Sequence, residues 1–336
     1  MTSLPRYATA LLQPLCDSKG RLLPESVGWS DQLQVDCTLH GHQGRRKRWN
    51  HWCITTPRWI LTLTLADLDY LGYGATYFLD LDSGQASSHS RFSLFASGCQ
   101  LPGRPLQSHA FNHPRLQLKA EEHPGRLRLT VSIPDIGGQP LLAALDILRP
   151  AHLQSANLVA PLPDGGFHAT SRWLGLTASG TLQLGRRNYH CPPGQSFASL
   201  DFGRGVWPLR SHWRRAVFTG CGGVAGNFST GWLDYSGLSD NALWFGGQVH
   251  QLQSPLQLQR SSHAPLAPWC LESEDGSVTL RFTPRRIHRT CPRLGPLYAD
   301  TLQWLGYYSG VLRGPNGERV PLENTLGWLG ETHARW

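Results

Sequence analysis

Apolar and polar residues alternate in short stretches along most of the chain. The alternation has a period of two, which places every second side chain on the same face of a β-strand. Such stretches lie at residues 53–70, 74–84, 126–133, 181–185, 195–202, 216–223, 241–252, 277–284 and 304–320. The last of them encloses Pro-Asn-Gly, a turn sequence that predicts a β-hairpin.

One segment breaks this pattern. LLAALDIL, residues 141–148, predicts a short helix, and it lies in a zone rich in proline and glycine between Pro134 and Pro163. Such a zone favours a boundary between domains. Because strands and Gly-rich turns dominate on both sides of it, we predict an all-β protein with few short helices. Its two barrel-like domains would span residues 1–150 and 151–336.

The composition supports strands and turns over long helices. The chain of 336 residues contains 13 Trp, 36 Gly and 24 Pro but a single Met. A hydrophobic content of 40% with 16% charged residues is typical of a folded globular protein. No run of about 18 apolar residues predicts a membrane helix. The first residues show no secretory signal pattern, so we expect a cytoplasmic location.

The formal charge is +8, carried mainly by arginine. The one basic run is Arg45–Arg48, and the other arginines are scattered, which disfavours nucleic acid as a partner. The run leaves peripheral contact with a membrane open. The eight cysteines include no C-x-x-C pair, so neither a zinc cluster nor a disulfide framework is predicted.

Residues 200–220 combine charge and aromatic side chains more densely than any other segment. Asp201 precedes a Gly-Arg-Gly turn centred on Arg204, and His212 follows. One interpretation makes Asp201 a general acid, its pKa raised by an apolar wall, with His212 as proton relay. The other makes Asp201 the buried partner of Arg204, so that the pair fixes a turn.

Tryptophans flank these polar groups and supply candidate ligand contacts. The faces of Trp207 and Trp213 would stabilise a cationic intermediate. Trp49 and Trp52 lie at a strand entry, where they would either line a barrel mouth or plug it. Asn241 is a candidate for orienting a substrate carbonyl, or belongs to a turn.

The C-terminus ETHARW keeps polar, titratable side chains to its end. On a strand, Glu331, His333 and Arg335 would project to one face. Trp336 would dock into the body and hold the end in place. We therefore take Glu331 and His333 as candidate catalytic groups and Arg335 as a candidate for binding a polar head group, against the alternative of a closing strand with a docked tail.

Other chemistries have less support. The chain shows no phosphate-binding glycine loop, no G-x-S-x-G elbow and no dinucleotide fingerprint. Asp67 and Asp69, like Asp80 and Asp82, have a spacing that would suit Ca²⁺ or a glycosidase dyad, but the same spacing is typical of strand ends entering turns. We predict neither a metal nor a cofactor.

Several segments together resemble the domain of unknown function 2804 family. They are RRKRWNHWCITT (45–56), ADLDYLGYGATYFLDLDSG (66–84), LDFGRGVWPLRSHW (200–213), DYSGLSDNALWFGGQVHQL (234–252) and GWLGETHARW (327–336). The chain departs from the family at Arg214 and Arg215, where aromatic or small residues are expected. It departs again at Thr332, which interrupts a terminal run of acidic residues and histidines.

That family is distantly similar to the lipocalin-like group that contains carotenoid hydratases and tocopherol cyclases. The resemblance implies two lipocalin-like (calycin-type) antiparallel barrels or half-barrels packed as a double barrel around a hydrophobic pocket. It also implies acid-assisted hydration, cyclisation or isomerisation of an isoprenoid-like substrate. Because a fold does not fix an activity, a non-catalytic lipid carrier and a carbohydrate-processing enzyme with paired carboxylates stay open.

Overall fold

The computed structural model describes residues 12–234 and 236–336. Its first sixteen strands are β1 (Gln13–Pro14), β2 (Gly28–Ser30), β3 (Val35–Asp36), β4 (Arg46–Thr55), β5 (Trp59–Asp67), β6 (Leu71–Asp80), β7 (Ala86–Leu94), β8 (Cys99–Gln100), β9 (His109–His113), β10 (Leu116–His123), β11 (Arg126–Ile133), β12 (Leu141–Leu148), β13 (Ala156–Pro161), β14 (Phe167–Leu184), β15 (Arg187–Cys191) and β16 (Phe197–Val206).

Ten further strands follow. They are β17 (Arg210–Thr219), β18 (Ala225–Thr230), β19 (Ala242–Phe245), β20 (Gln248–Gln251), β21 (Leu256–Arg260), β22 (Trp269–Ser273), β23 (Val278–Thr290), β24 (Arg293–Leu294), β25 (Leu297–Arg313) and β26 (Arg319–Arg335). The helical segments in the described ranges are single 3₁₀ turns at Pro24–Ser26, Pro163–Gly165 and Cys221–Gly223. None of them is long or apolar enough to cross a membrane.

The strands form two large antiparallel sheets. The first has 14 strands, in the order β7-β6-β5-β4-β16-β14-β12-β11-β10-β9-β8, with β13 and β15 beside β14 and β2 beside β13. The second has ten strands, in the order β20-β19-β18-β17-β26-β25-β23-β22-β21, with β24 beside β25. β1 and β3 pair separately as a small parallel sheet. The predicted all-β fold of two curled half-barrels is confirmed.

Each sheet encloses its own hydrophobic core, and alternation along the strands decides which side chains enter it. On β16, Leu200 and Phe202 join the core of the first sheet. On β26, Leu329 joins the core of the second sheet, together with Trp304 of β25. Side chains at the intervening positions point to the opposite face. That opposite face is where the two sheets meet.

The predicted helix at residues 141–148 is wrong. The segment is strand β12, which pairs with β11 on one side and β14 on the other. Leu141, Ala143, Leu145 and Ile147 alternate into the core, and pairing on both edges outweighs the helix propensity of leucine and alanine.

The change from one sheet to the other falls between Val206 and Arg210. The predicted domain boundary after residue 150 therefore lies inside the first sheet, since β13 to β16 still belong to it. The predicted hairpin around Pro-Asn-Gly is confirmed, because β25 and β26 pair from Arg313 and Arg319 outward.

An aromatic cluster joins the two sheets at this crossover. Its buried members include Trp207 and Trp232, and Trp49, Trp213 and Trp336 pack against them. The C-terminal tryptophan is docked as predicted, because its ring lies 5.8 Å from those of Trp207 and Trp213. Its backbone N–H also donates to the carbonyl of Leu209.

Candidate functional site

A cavity of about 560 Å³ lies between the two sheets. We call it the inter-sheet cavity. Strands β4 to β7 of the first sheet supply one wall, and β17 and β23 to β26 of the second supply the other. The sheets approach each other across it where the rings of Tyr77 and His288 stack at 3.9 Å and where His51 meets Trp328 at 6.0 Å. Its size suits a small organic molecule.

The charges on the cavity wall are unbalanced. Asp201 is the one acidic side chain among the described residues that line it, whereas Arg215, Arg289, Arg293 and Arg335 also line it. Arg215 pairs with Asp201 and Arg289 pairs with Asp300, so Arg293 and Arg335 are the lining arginines without an ion pair in the described chain. The Nε atom of Arg335 is buried and has no hydrogen-bond partner within the described chain. The remaining wall is mostly aliphatic and aromatic. The cavity therefore combines a large apolar surface with a local excess of positive charge.

Asp201 belongs to a buried network of four charges, the ion quartet, formed by Arg172, Asp201, Arg215 and Asp240. Both arginines bind the carboxylate of Asp201. The guanidinium of Arg172 also donates to Asp240 at 3.1 Å, and Arg215 lies 3.8 Å from it. Arg172 and Asp201 come from the first sheet and the other two from the second, so the quartet ties the sheets together.

Each arginine of the quartet faces two carboxylates, which balances the charge. Burial lowers the pKa of Arg215 to about 10, with the charge of Asp240 opposing the shift, so the side chain stays protonated at neutral pH. Positive charges beside a carboxylate favour its ionised form. Asp201 is held as a carboxylate at the edge of the cavity, with 16% of its side chain exposed.

Trp49 and His51 extend this polar edge along β4. The indole N–H of Trp49 donates to Asp201 at 3.1 Å. His51 makes a 2.8 Å hydrogen bond with the hydroxyl of Thr64. Burial, helped by the charge of Arg215, lowers the pKa of His51 to about 4. His51 is therefore a neutral imidazole on the cavity wall at physiological pH.

The predicted pairing of Asp201 with Arg204 is wrong. Arg204 points into the core of the first sheet, where its guanidinium lies 3.8 Å from the ring of Phe202. It donates to the carbonyls of Pro102, Trp49 and Gly203 and to the side-chain oxygen of Asn50. The two residues are three apart on one strand, so their side chains leave opposite faces.

His212, Glu331 and His333 converge at a different place from Asp201. Trp213 and Arg215 line the inter-sheet cavity, so His212, which precedes them on β17, projects from the other face of that strand. There it lies 3.2 Å from the carboxylate of Glu331. The four candidate catalytic groups are therefore divided between two sites.

The candidate binding residues are divided as well. Trp49, Trp213 and Arg335 line the inter-sheet cavity, whereas Glu331 and His333 do not, so the three C-terminal side chains predicted to share one face are divided. Trp207 packs behind them in the aromatic cluster. Trp52 lies in the core of the first sheet, where it donates to His109. Asn241 is buried and accepts a hydrogen bond from the backbone N–H of Ser229, so it orders a turn of the second sheet.

The basic run and the first acidic pair, Asp67 and Asp69, neutralise each other in part. Arg46 binds Asp69, and Arg48 binds Asp67, each at 2.9 Å. Lys47 is buried, and burial lowers its pKa to about 8. Of the run, Arg45 alone is exposed. The second acidic pair serves a turn, because Asp80 accepts hydrogen bonds from the backbone of residues 82 and 83.

Sequence reasoning missed half of the ion quartet. Arg172 carries no signal of its own in the sequence, and Asp240 stands beside Asn241 without any sign that it pairs with an arginine. Pairing of β14 with β16 brings Arg172 to Asp201, and Asp240 reaches the arginines from the second sheet. Sequence reasoning also missed His168, whose ring is enclosed by Trp49, Trp207 and Trp232. Burial holds the pKa of His168 well below its usual range.

The chain belongs to the family described as Domain of unknown function (DUF2804), which matches residues 8–336. The membership predicted from the sequence is thus confirmed. No curated protein matches the chain.

Two solved structures share the fold. Kievitone hydratase from Nectria haematococca is 11% identical, with a TM-score of 0.56 over 97% of each chain. A "putative AttH" from Nitrosomonas europaea is also 11% identical, with a TM-score of 0.52 over 85% of this chain and 92% of the other. At such identities the similarity establishes the double-barrel fold and nothing finer.

Proposed function

We propose that this member of the DUF2804 family binds an amphipathic, lipid-like or isoprenoid-like small molecule in the inter-sheet cavity. The observation that carries the proposal is the composition of the cavity wall, which is mostly apolar yet holds two arginines, Arg293 and Arg335, that form no ion pair within the described chain. Apolar pockets with a few well-placed polar groups are typical of small-molecule sites.

The polar end of the ligand would lie near Arg335 and Arg215. Arg335 offers a buried N–H that has no partner in the described chain, and a buried donor of this kind costs free energy until it is paired. A carboxylate or a cluster of hydroxyl groups on the ligand would supply that partner. The hydroxyl of Tyr70 and the Nε2 atom of His89 also line the cavity, and both are buried without a hydrogen-bond partner among the described residues.

The apolar part of the ligand would pack along the β5 to β7 wall and against Trp328. A pure hydrocarbon is a poorer match, because it would leave these polar atoms unpaired in a dry site. The cavity volume of about 560 Å³ accommodates a molecule of drug-like or short-lipid size. The ligand is therefore expected to be amphipathic, with oxygen atoms at one end.

A fluorescent fatty acid tests this binding. Cis-parinaric acid bound between the sheets would quench the emission of tryptophans on the wall, with one site per chain. Ala75→Trp on the first sheet and Ala299→Trp on the second would fill the cavity, since both alanines line it. Leu142→Trp is the matched control, because Leu142 is 49% exposed on β12.

We expect both cavity-filling variants to weaken probe binding by about tenfold or more, which corresponds to about 1.4 kcal/mol, while the control binds like the wild type. Arg335→Met should weaken the binding of the acidic probe more than the binding of its methyl ester. Equal binding by the wild type and both cavity-filling variants would contradict the proposal.

Acid-assisted catalysis is the second candidate function, and the position of Asp201 favours it. In hydration, a protonated Asp201 would give its proton to one carbon of a C=C bond. Water would then add to the cation at the other carbon and return a proton to the carboxylate. The faces of Trp49 and Trp213 would stabilise that cation. Hydratase chemistry is also that of one structure with this fold, kievitone hydratase.

Binding is the better-supported function because Arg172 and Arg215 oppose protonation of Asp201. Incubation in isotopically labelled water distinguishes the two functions. A ligand recovered from the protein and incubated with it in H₂¹⁸O or D₂O would gain label only if the protein catalyses hydration or isomerisation. Asp201→Asn should abolish the labelling and keep the binding. If the wild type binds the ligand but does not label it, the protein is a non-catalytic carrier.

A further inference from the structure

We propose that His212, Glu331 and His333 form a binding site for a divalent transition-metal ion, with Zn²⁺ as the best match. The site lies on the core-facing side of the second sheet, away from the inter-sheet cavity. Its three side chains are 39%, 21% and 59% exposed, so an ion can reach them from solvent.

Strand register brings the three residues together. His212 on β17 lies directly opposite His333 on β26. Glu331 is two residues before His333 on the same strand, which places its side chain on the same face. The two imidazole rings stack with centroids 4.2 Å apart. The arrangement is therefore fixed by two paired strands and needs no loop.

The donor atoms point at one another. The Nε2 atoms of His212 and His333 lie 3.2 and 3.9 Å from the same carboxylate oxygen of Glu331. One ligand atom from each of the three residues falls within 4.8 Å of the others. Ligands of a tetrahedral Zn²⁺ are about 3.4 Å apart, given metal–ligand bonds of about 2.0–2.1 Å. A small rotation of the exposed His333 side chain closes the remaining gap.

The donor set selects the kind of metal. Two imidazoles and one carboxylate suit Zn²⁺, Co²⁺ or Ni²⁺, whereas Mg²⁺ and Ca²⁺ prefer oxygen ligands. Three protein ligands leave a fourth position for water or a small anion. Bound metal would cross-link the last strand of the chain to β17, and so would resist fraying of the C-terminal strand.

The charges of Arg214 and Asp300 change the affinity of the site for a metal ion in opposite directions. Arg214 donates to the same oxygen of Glu331 at 2.7 Å, so it competes with a cation for that oxygen. Asp300 lies opposite His333 on β25 and adds negative charge, although it is paired with Arg289 at 2.6 Å. Removing the charge of Arg214 should therefore tighten metal binding.

Calorimetric titration of the tag-free, full-length protein with Zn²⁺, and the visible absorption of Co²⁺, test the site. We expect one ion per chain in the wild type. His212→Ala, His333→Ala and Glu331→Gln should each weaken binding by about tenfold or more. Arg214→Gln should tighten it, and His263→Ala, which removes an exposed histidine elsewhere, should change nothing.

Three results would overturn the proposed metal site. A wild type that binds neither ion would overturn it. So would affinity that is unchanged in both histidine variants, or lowered equally in His263→Ala, because binding would then be spread over surface histidines. Circular dichroism checks that each variant is folded. Because His333 is exposed, His333→Ala is the variant least able to lose binding through unfolding.

Discussion

Asp201 of the first sheet and Arg215 of the second form an ion pair at the wall of the inter-sheet cavity. The pair does two things at once. It closes the ion quartet that ties the sheets together, and it places the cavity's carboxylate beside an excess of arginine. A change at Asp201 should therefore affect both stability and the chemistry of the cavity.

Asp201→Asn should destabilise the protein by about 3 kcal/mol. The change leaves Arg172 and Arg215 with Asp240 as their shared counter-charge, and removing one partner of a buried pair exposes the desolvation cost of the other. Urea unfolding measures the loss. Asp82→Asn is the matched control, since Asp82 is 53% exposed in its pair with Arg58 and should lose less than about 1 kcal/mol. If both variants lost the same free energy of unfolding, the ion quartet would stabilise the protein no more than an exposed ion pair does.

Arg204→Met should destabilise the protein by about 3 kcal/mol while leaving probe binding unchanged. Its buried guanidinium satisfies three backbone carbonyls, which would lose their donors. Arg21→Met, at a side chain that is 74% exposed, is the control. A stable Arg204→Met variant with altered affinity for the probe would place Arg204 at the ligand instead of in the core.

Stability should fall as the pH is lowered from about 6.5 towards 4. Burial lowers the pKa of both His51 and His109 to about 4 in the folded state, against 6.5 for an ordinary histidine. In this window the unfolded chain binds more protons than the folded one, so acidification favours unfolding. Each histidine contributes up to about 1.4 kcal/mol per pH unit to this loss in the free energy of unfolding.

Urea unfolding at pH 6.5 and at pH 5.5 measures this slope. His109→Gln should flatten it relative to the wild type, whatever its effect on absolute stability, because one of the buried neutral imidazoles is gone while those of His51 and His168 stay. Parallel slopes in the two proteins, or a wild type that becomes more stable at pH 5.5, would show that these histidines are not held neutral.

Much of the fold follows from the sequence, because strands of period two and the turn at Pro-Asn-Gly are local signals. The alternation of side chains along a strand also shows which residues can share a face, which their residue types do not. Asp201 and Arg204 are an odd number of positions apart, so a strand cannot pair them. Likewise Trp49 lines the cavity while Trp52, three positions later, enters the core.

The partners of Asp201 could not be read from the sequence, because they are brought to it by long-range strand pairing. Arg172 is opposite Asp201 in the register of β14 and β16. Asp240 comes from the other sheet. Arg215 of the second sheet contacts both Asp201 and Asp240 and so links the two carboxylates of the quartet. The proposed metal site could not be predicted for the same reason, since His212 and Glu331 are 119 residues apart.

Native mass spectrometry of the intact protein tests whether the inter-sheet cavity holds a small molecule. The wild type should carry one added mass, either an amphiphile that co-purifies and extracts into organic solvent or added parinaric acid. Ala75→Trp should carry none, and Leu142→Trp should match the wild type. A wild type that takes up no ligand, or an Ala75→Trp variant that takes up as much as the wild type, would show that the inter-sheet cavity is not a ligand site.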